Sequence, residues 1–211
     1  MSFMIGFDLD MTLVDSRDGI TFTMEKVLAE LGVHVEREEI FKMIGLPLWD
    51  SFPNWISAEQ VDPAVVRYRE LYKTMGIPIT TVLPGAREAL EMIHDAGGQT
   101  MVVSAKLESA VQIIVDLLEL PVDVVRGDLF AAGKAVALLE EGAVIYVGDH
   151  PADVIGARAA GAISIAVATG PASIDDLRAE GADVILPDLL SFPTWFKSWL
   201  SDRSEPEQIA D

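Results

Sequence analysis

The chain has 211 residues, half of them hydrophobic, with no cysteine and a formal net charge of −19. That length suits one domain with an insertion or two small domains, and the missing cysteines exclude a disulfide framework or a thiolate metal site. The acidic surplus argues against nucleic acid or an anionic membrane as a partner, because both demand clustered Lys and Arg.

The apolar run Phe3-Met4-Ile5-Gly6-Phe7 reads as a buried strand and ends in Asp8-Leu9-Asp10-Met11-Thr12. Strand alternation leans Asp8 and Asp10 to one side and turns Leu9 toward the core. Two carboxylates this close raise each other's pKa and lose hydration, so such a pair persists where a cation or a reaction uses it. Taken alone, an Asp-x-Asp at a strand end also fits a turn cap. No charged segment with a long apolar stretch behind it precedes the strand, so a cytoplasmic location is expected. No apolar stretch reaches transmembrane length.

Helical periodicity follows over about 18–31, with Phe22, Val27, Leu28 and Leu31 as its apolar positions. Further helices are expected near 38–44 and 63–75, separated by Gly45-Leu46-Pro47 and a Trp49–Trp55 loop. The pattern changes at Leu83-Pro84-Gly85. Helices at 86–96, 108–118, 134–140, 152–160 and 174–179 then alternate with strands at 100–103, 122–125, 143–147, 163–168 and 183–186. Alternation with strands apolar on both sides indicates an α/β fold, a parallel sheet covered by helices on both faces. Residues 17–83 are thus an all-helical insertion after the first strand of a Rossmann-like core spanning 1–16 and 84–200. The polar stretch 201–211 is expected to be a disordered tail.

Ligands of open α/β sheets bind beyond the carboxyl ends of the strands. Those ends carry Asp8 and Asp10, then Ser104, then Gly148-Asp149 followed by Asp153, with Lys134 opening the helix before the Asp149 strand. Oxygen ligands suit a hard cation such as Mg²⁺, and a hydroxyl, an ammonium and backbone N–H groups suit phosphoryl oxygens. Each member also has a structural explanation. Ser104 can cap a turn, Asp153 can sit at a helix N-terminus, and Lys106 and Arg126 compete with Lys134 as the phosphate cation. The Trp49/Phe52/Trp55 cluster reads as core of a small helical unit.

Asp8–Thr12, Ser104, Lys134 and Gly148-Asp149 with Asp153, in that order and at strand ends, resemble the haloacid dehalogenase superfamily. The likeness is to phosphoglycolate-phosphatase-like members with a helical cap after the first strand. It runs from Phe3 to about Leu186, with departures at Met11, Ala105, Ala135 and His150. The resemblance implies a Mg²⁺-dependent phosphatase acting on a small phosphorylated metabolite. It casts Asp8 as the nucleophile that becomes aspartyl-phosphate and Asp10 as general acid/base. Asp8, Asp149, Asp153 and the Asp10 carbonyl become the metal ligands, and Ser104 and Lys134 hold the phosphoryl group. A phosphomutase of the same superfamily is the alternative. A receiver-like phosphoacceptor module is disfavoured by the insertion, and a dehalogenase by the presence of Asp10. Substrate choice is expected to fall to Gly45-Leu46-Pro47-Leu48 and to Arg67, Arg69 or Tyr72. A hinge is expected at Pro84-Gly85.

Overall fold

The computed structural model describes residues 3–204. Strand β1 (Met4–Phe7) leads through a tight turn to β2 (Val14–Asp15). Helices α1 (Arg17–Glu30), α2 (Arg37–Phe41), α3 (Leu48–Ser51) and α4 (Ala58–Met75) follow, and β3 (Thr81–Val82) closes this stretch. Alternation then begins with α5 (Ala86–Asp95), β4 (Gln99–Val103), α6 (Glu108–Leu117), β5 (Val124–Arg126) and α7 (Ala132–Glu140). It continues with β6 (Ala143–Gly148), α8 (Pro151–Ala159), β7 (Ile163–Val167), α9 (Ile174–Glu180), β8 (Val184–Leu186) and α10 (Phe192–Ser204).

Six strands form one sheet in the order β5-β4-β1-β6-β7-β8, and every pairing in it is parallel. This is the Rossmann-like α/β arrangement expected from the alternation. Both faces of β1 are buried, for a simple reason of pleating. Ile5 and Phe7 join a core built with Leu90 and Ile93 of α5, Val111 and Ile114 of α6, and Phe192 and Phe196 of α10. On the other face Met4, Met101, Val103 and Tyr146 pack with Leu138 of α7 and Ala157 of α8. Gly6 lies on this second face because a Cβ there would come within 2.8 Å of the Tyr146 ring. The chain moves outward from β1 to β4 and β5, then returns across the sheet to β6 and moves the other way. The direction therefore reverses between β1 and β6, and the crevice at their carboxyl ends is where such folds bind ligands.

Several expectations need correction. Phe22 of α1 and Leu31 just past its end face solvent, while Ile20, Met24, Val27 and Leu28 form the buried stripe of the helix. The spacing i, i+4, i+7, i+8 was available, but both stripes are apolar, so periodicity alone did not choose between them. The expected Trp49–Trp55 loop holds α3 and a 3₁₀ turn at Phe52–Asn54; Phe52 is core, yet Trp49 is exposed. Helix α4 begins five residues before Pro63, started by a capping box from Ser57 and Gln60. The short strands β2 and β3, unexpected in the sequence, pair antiparallel with Val14 opposite Val82 and Asp15 opposite Thr81. Helix α10 was also unforeseen, and it takes in Ser201–Ser204 of the expected tail; residues 205–211 lie outside the described ones. Its Phe192 and Phe196 rings stack at 5.4 Å, and Phe192 also meets Phe7 at 5.9 Å. No helix among the described residues is long and apolar enough to cross a membrane.

Candidate active site

Where β1 ends, the Asp8 amide donates to the carbonyl of Val147, extending the β1–β6 ladder by one bond. The chain then turns tightly, with Leu13 and Val14 amides donating to the Leu9 carbonyl. Met11 adopts φ 61°, a left-handed conformation that costs a residue with a Cβ about 1–2 kcal/mol and explains why glycine suits this position. Its carbonyl accepts from the Thr169 hydroxyl at 2.5 Å, which ties the turn to the loop after β7. Asp8 and Asp10 are thereby presented side by side, both buried, with Leu9 in the core as expected.

Lys134 stands third in α7 and is 2 % exposed. Its ammonium donates to Asp8 Oδ1 at 2.7 Å, to Asp153 Oδ1 at 2.6 Å and to the Tyr146 hydroxyl at 2.9 Å. Tyr146 in turn donates to the Val103 carbonyl. Asp153 also closes a capping box at the start of α8, accepting from the His150 amide at 3.1 Å, the helix-terminus place weighed for it from the sequence. Oxygens of Asp8, Asp149 and Asp153 lie within 4.8 Å of one another. Thr12 donates to Asp149 Oδ1 at 2.9 Å, while Asp149 Oδ2 and Asp10 Oδ1 are buried with no hydrogen-bond partner among the described residues. The loop after β7 leaves room for Asp149 only because residue 170 is glycine; a Cβ there would fall 1.7 Å from Asp149 Oδ2.

Burial dominates the electrostatics. It pushes the Asp8 carboxyl up to about 7, with Lys134 pulling the other way and Asp153 and Asp10 adding to the rise. The same desolvation raises Asp149 well above the usual carboxylate range. At Lys134 burial opposes the charge, but Asp153 and Asp8 outweigh it and hold the ammonium protonated. Buried carboxylates that cannot all ionise beside one ammonium, with an orphaned oxygen on Asp149, form a hard, all-oxygen donor set. Such a set fits a divalent cation.

Ser104 lies at the end of β4, buried, with its hydroxyl accepting from the Lys106 amide at 3.3 Å, the turn role weighed for it from the sequence. It also lines the cleft shared with Asp8 and Asp10. Lys106 belongs to this site as well, its Nζ 3.3 Å from Asp10 Oδ2 and 4.1 Å from the centroid of the Tyr72 ring. Arg126 does not; it pairs with Glu141 away from the rim. Arg67 likewise is taken by Glu30 at the surface, whereas Arg69 and Tyr72 line the cleft. The Gly45–Leu48 loop closes the cleft from the helical side. Gly45 has φ +97° and approaches His150 so closely that a Cβ would sit 3.0 Å from its ring.

Thr12, Tyr146, Thr169 and Gly170 were not assigned roles from the sequence. Only Tyr146 had a usable signal, a hydroxyl inside an otherwise apolar strand.

The family described as haloacid dehalogenase-like hydrolase matches residues 5–125, and a second, described as HAD-hydrolase-like, matches residues 128–192. A phosphoglycolate phosphatase of Pseudomonas fluorescens is 28 % identical over 226 residues, covering 88 % of this chain and 83 % of the relative. The pyrophosphatase PpaX of Oceanobacillus iheyensis is 26 % identical, covering 87 % of this chain and 91 % of its own. A haloacid dehalogenase-like family hydrolase from Streptococcus pneumoniae superposes with a TM-score of 0.84 at 30 % identity, covering 92 % of this chain and 98 % of that one.

Proposed function

Because the chain belongs to the haloacid dehalogenase-like hydrolase family, we propose that it is a Mg²⁺-dependent phosphatase of small phosphorylated metabolites working in the cytoplasm. The observation that carries this reading is the buried cluster of Asp8, Asp149 and Asp153 bridged by Lys134, beside Asp10 at the mouth of a cleft. Asp8, Asp149, Asp153 and the Asp10 carbonyl would hold the cation. When bound, Mg²⁺ supplies positive charge at the phosphoryl oxygens and offsets repulsion among the carboxylates.

Asp8 attacks phosphorus through a carboxylate oxygen as the ester P–O bond breaks, forming aspartyl-phosphate. Asp10 gives the departing alkoxide its proton. Asp10 then takes a proton from the attacking water, whose oxygen bonds to phosphorus as the bond to Asp8 breaks, and phosphate leaves. Lys106, 3.3 Å from Asp10 Oδ2, holds the Asp10 side chain in place between these transfers. Lys134 keeps Asp8 oriented, and Ser104 with Lys134 binds the transferring group. Residues 17–83 serve as a cap over a core of 1–16 and 84–200, excluding bulk water while the phosphoenzyme exists.

The test is release of phosphate from a panel of small phosphomonoesters with and without Mg²⁺, by the intact chain and by Asp8→Asn. Hydrolysis should need the metal and vanish in the variant. Undiminished turnover by Asp8→Asn would sink the covalent mechanism.

A further inference from the structure

We infer that the cleft selects phosphomonoesters whose alcohol portion is uncharged and apolar, which rests on the phosphatase reading and narrows its substrate class. The cleft reaches from Asp8 and Asp10 into the helical insertion, with a cavity volume of about 90 Å³. Away from the carboxylates its wall is made of Ile20, Met24, Ile40, Ile44, Tyr68 and Tyr72, all buried. The cations that line it are already engaged or stand at its edge. Lys106 is held by Asp10 and the Tyr72 ring. Arg69 is about one-third exposed, 3.5 Å from Asp128 and stacked over Trp49, and Lys73 is exposed. A carboxylate or second phosphate on the leaving group would therefore lose its hydration beside Asp8 and Asp10 with no buried, unpaired cation among the described residues of the cleft to receive it. An alkyl or aromatic group loses nothing comparable and gains burial.

The experiment measures kcat/KM of the full chain with Mg²⁺ on ethyl, n-propyl and n-butyl phosphate, whose leaving alcohols are nearly equal in acidity, against 2-phosphoglycolate and pyrophosphate. Each added methylene should raise kcat/KM about fourfold, and both charged substrates should fall below ethyl phosphate. Leu46→Lys, which adds a cation to the half-buried loop at the cleft, should flatten the alkyl series and raise phosphoglycolate turnover. A flat alkyl series in the unaltered chain overturns the inference, as does preference for either charged substrate. Calorimetric titration with n-alkylphosphonates separates the two readings. Affinity that climbs with chain length while no ester is hydrolysed refutes the phosphatase and keeps the apolar cleft; affinity indifferent to chain length refutes the cleft.

Discussion

Lys134→Met should destabilise the metal-free chain by about 3–5 kcal/mol, the range expected when one partner of a buried charge cluster is removed. Methionine keeps the length and apolar stem of the side chain, so packing against α8 and β6 is preserved and the loss is electrostatic. In the native chain one ammonium serves Asp8 at 2.7 Å and Asp153 at 2.6 Å, and also donates to Tyr146. Without it, these carboxylates and Asp149 face one another at buried positions. For a chain of this size each kcal/mol moves the midpoint by about 2–4 °C, so Tm should fall by about 6–20 °C. Thermal unfolding followed by circular dichroism in EDTA at neutral pH reads this directly. Asp153→Asn placed in the same background should return part of the loss, because it removes one of the stranded charges. A Lys134→Met midpoint within about 2 °C of the native chain would refute the reasoning, since it would mean that the cluster is already neutral or hydrated without the lysine.

Asp10→Asn should slow turnover by about 10²–10⁴-fold and let aspartyl-phosphate accumulate on Asp8; intact-protein mass spectrometry finding no adduct at near-normal rates would count against the role of Asp10. Gly170→Ala should displace the Asp149 carboxylate and weaken Mg²⁺ binding by about 10–100-fold, read as the Mg²⁺ concentration that half-restores thermal stability; an unchanged titration would show that the loop yields instead. In EDTA the Asp8 carboxyl, raised from 3.8 to about 7, holds its proton longer in the folded than in the unfolded chain. Its contribution is therefore fully present below pH 3.8 and lost as pH climbs to about 7. Relative to Asp8→Asn, the native chain should lose about 4 kcal/mol or less over that window; denaturant titrations giving a constant difference would contradict the burial argument.

The parallel core was legible in the sequence because each strand there is a short apolar run punctuated by Gly or Asp, and local pattern is enough to set its place. The rim was legible for a related reason. Asp8, Ser104 and Asp149 each stand just past the end of such a run, so recognising the run places the residue, whereas Lys134 lies in the first turn of α7 and follows from the helix pattern instead. What escaped depends on contacts between distant segments. Strands β2 and β3 are two residues each and exist only through each other. Helix α10 carries Phe192, Trp195, Phe196 and Trp199 at helical spacing, yet it follows directly on a 3₁₀ turn at Leu189–Ser191 that Asp188 caps by accepting from the Ser191 amide, a signal easily missed after a strand. Lys106 and Lys134 were posed as rivals, although the folded chain gives each its own carboxylate: Asp10 to the first and Asp8 to the second. A linear reading could not divide them, because the two aspartates are neighbours in sequence and the two lysines are not.

The pairing of β2 with β3 has a consequence for how such a chain can change. Val14 sits opposite Val82 and Asp15 opposite Thr81 in a two-stranded ribbon of their own, so the chain enters and leaves the helical stretch through adjacent strands, roughly 5 Å apart. That ribbon is a graft point. Any unit whose two ends emerge side by side could be spliced there in place of the four helices, without moving β1 or the carboxylates at its tip. A lineage can then trade its whole helical insert in one recombination event and leave Asp8 and Asp10 in place, whereas altering the acidic rim requires coordinated change at strand ends far apart in the gene.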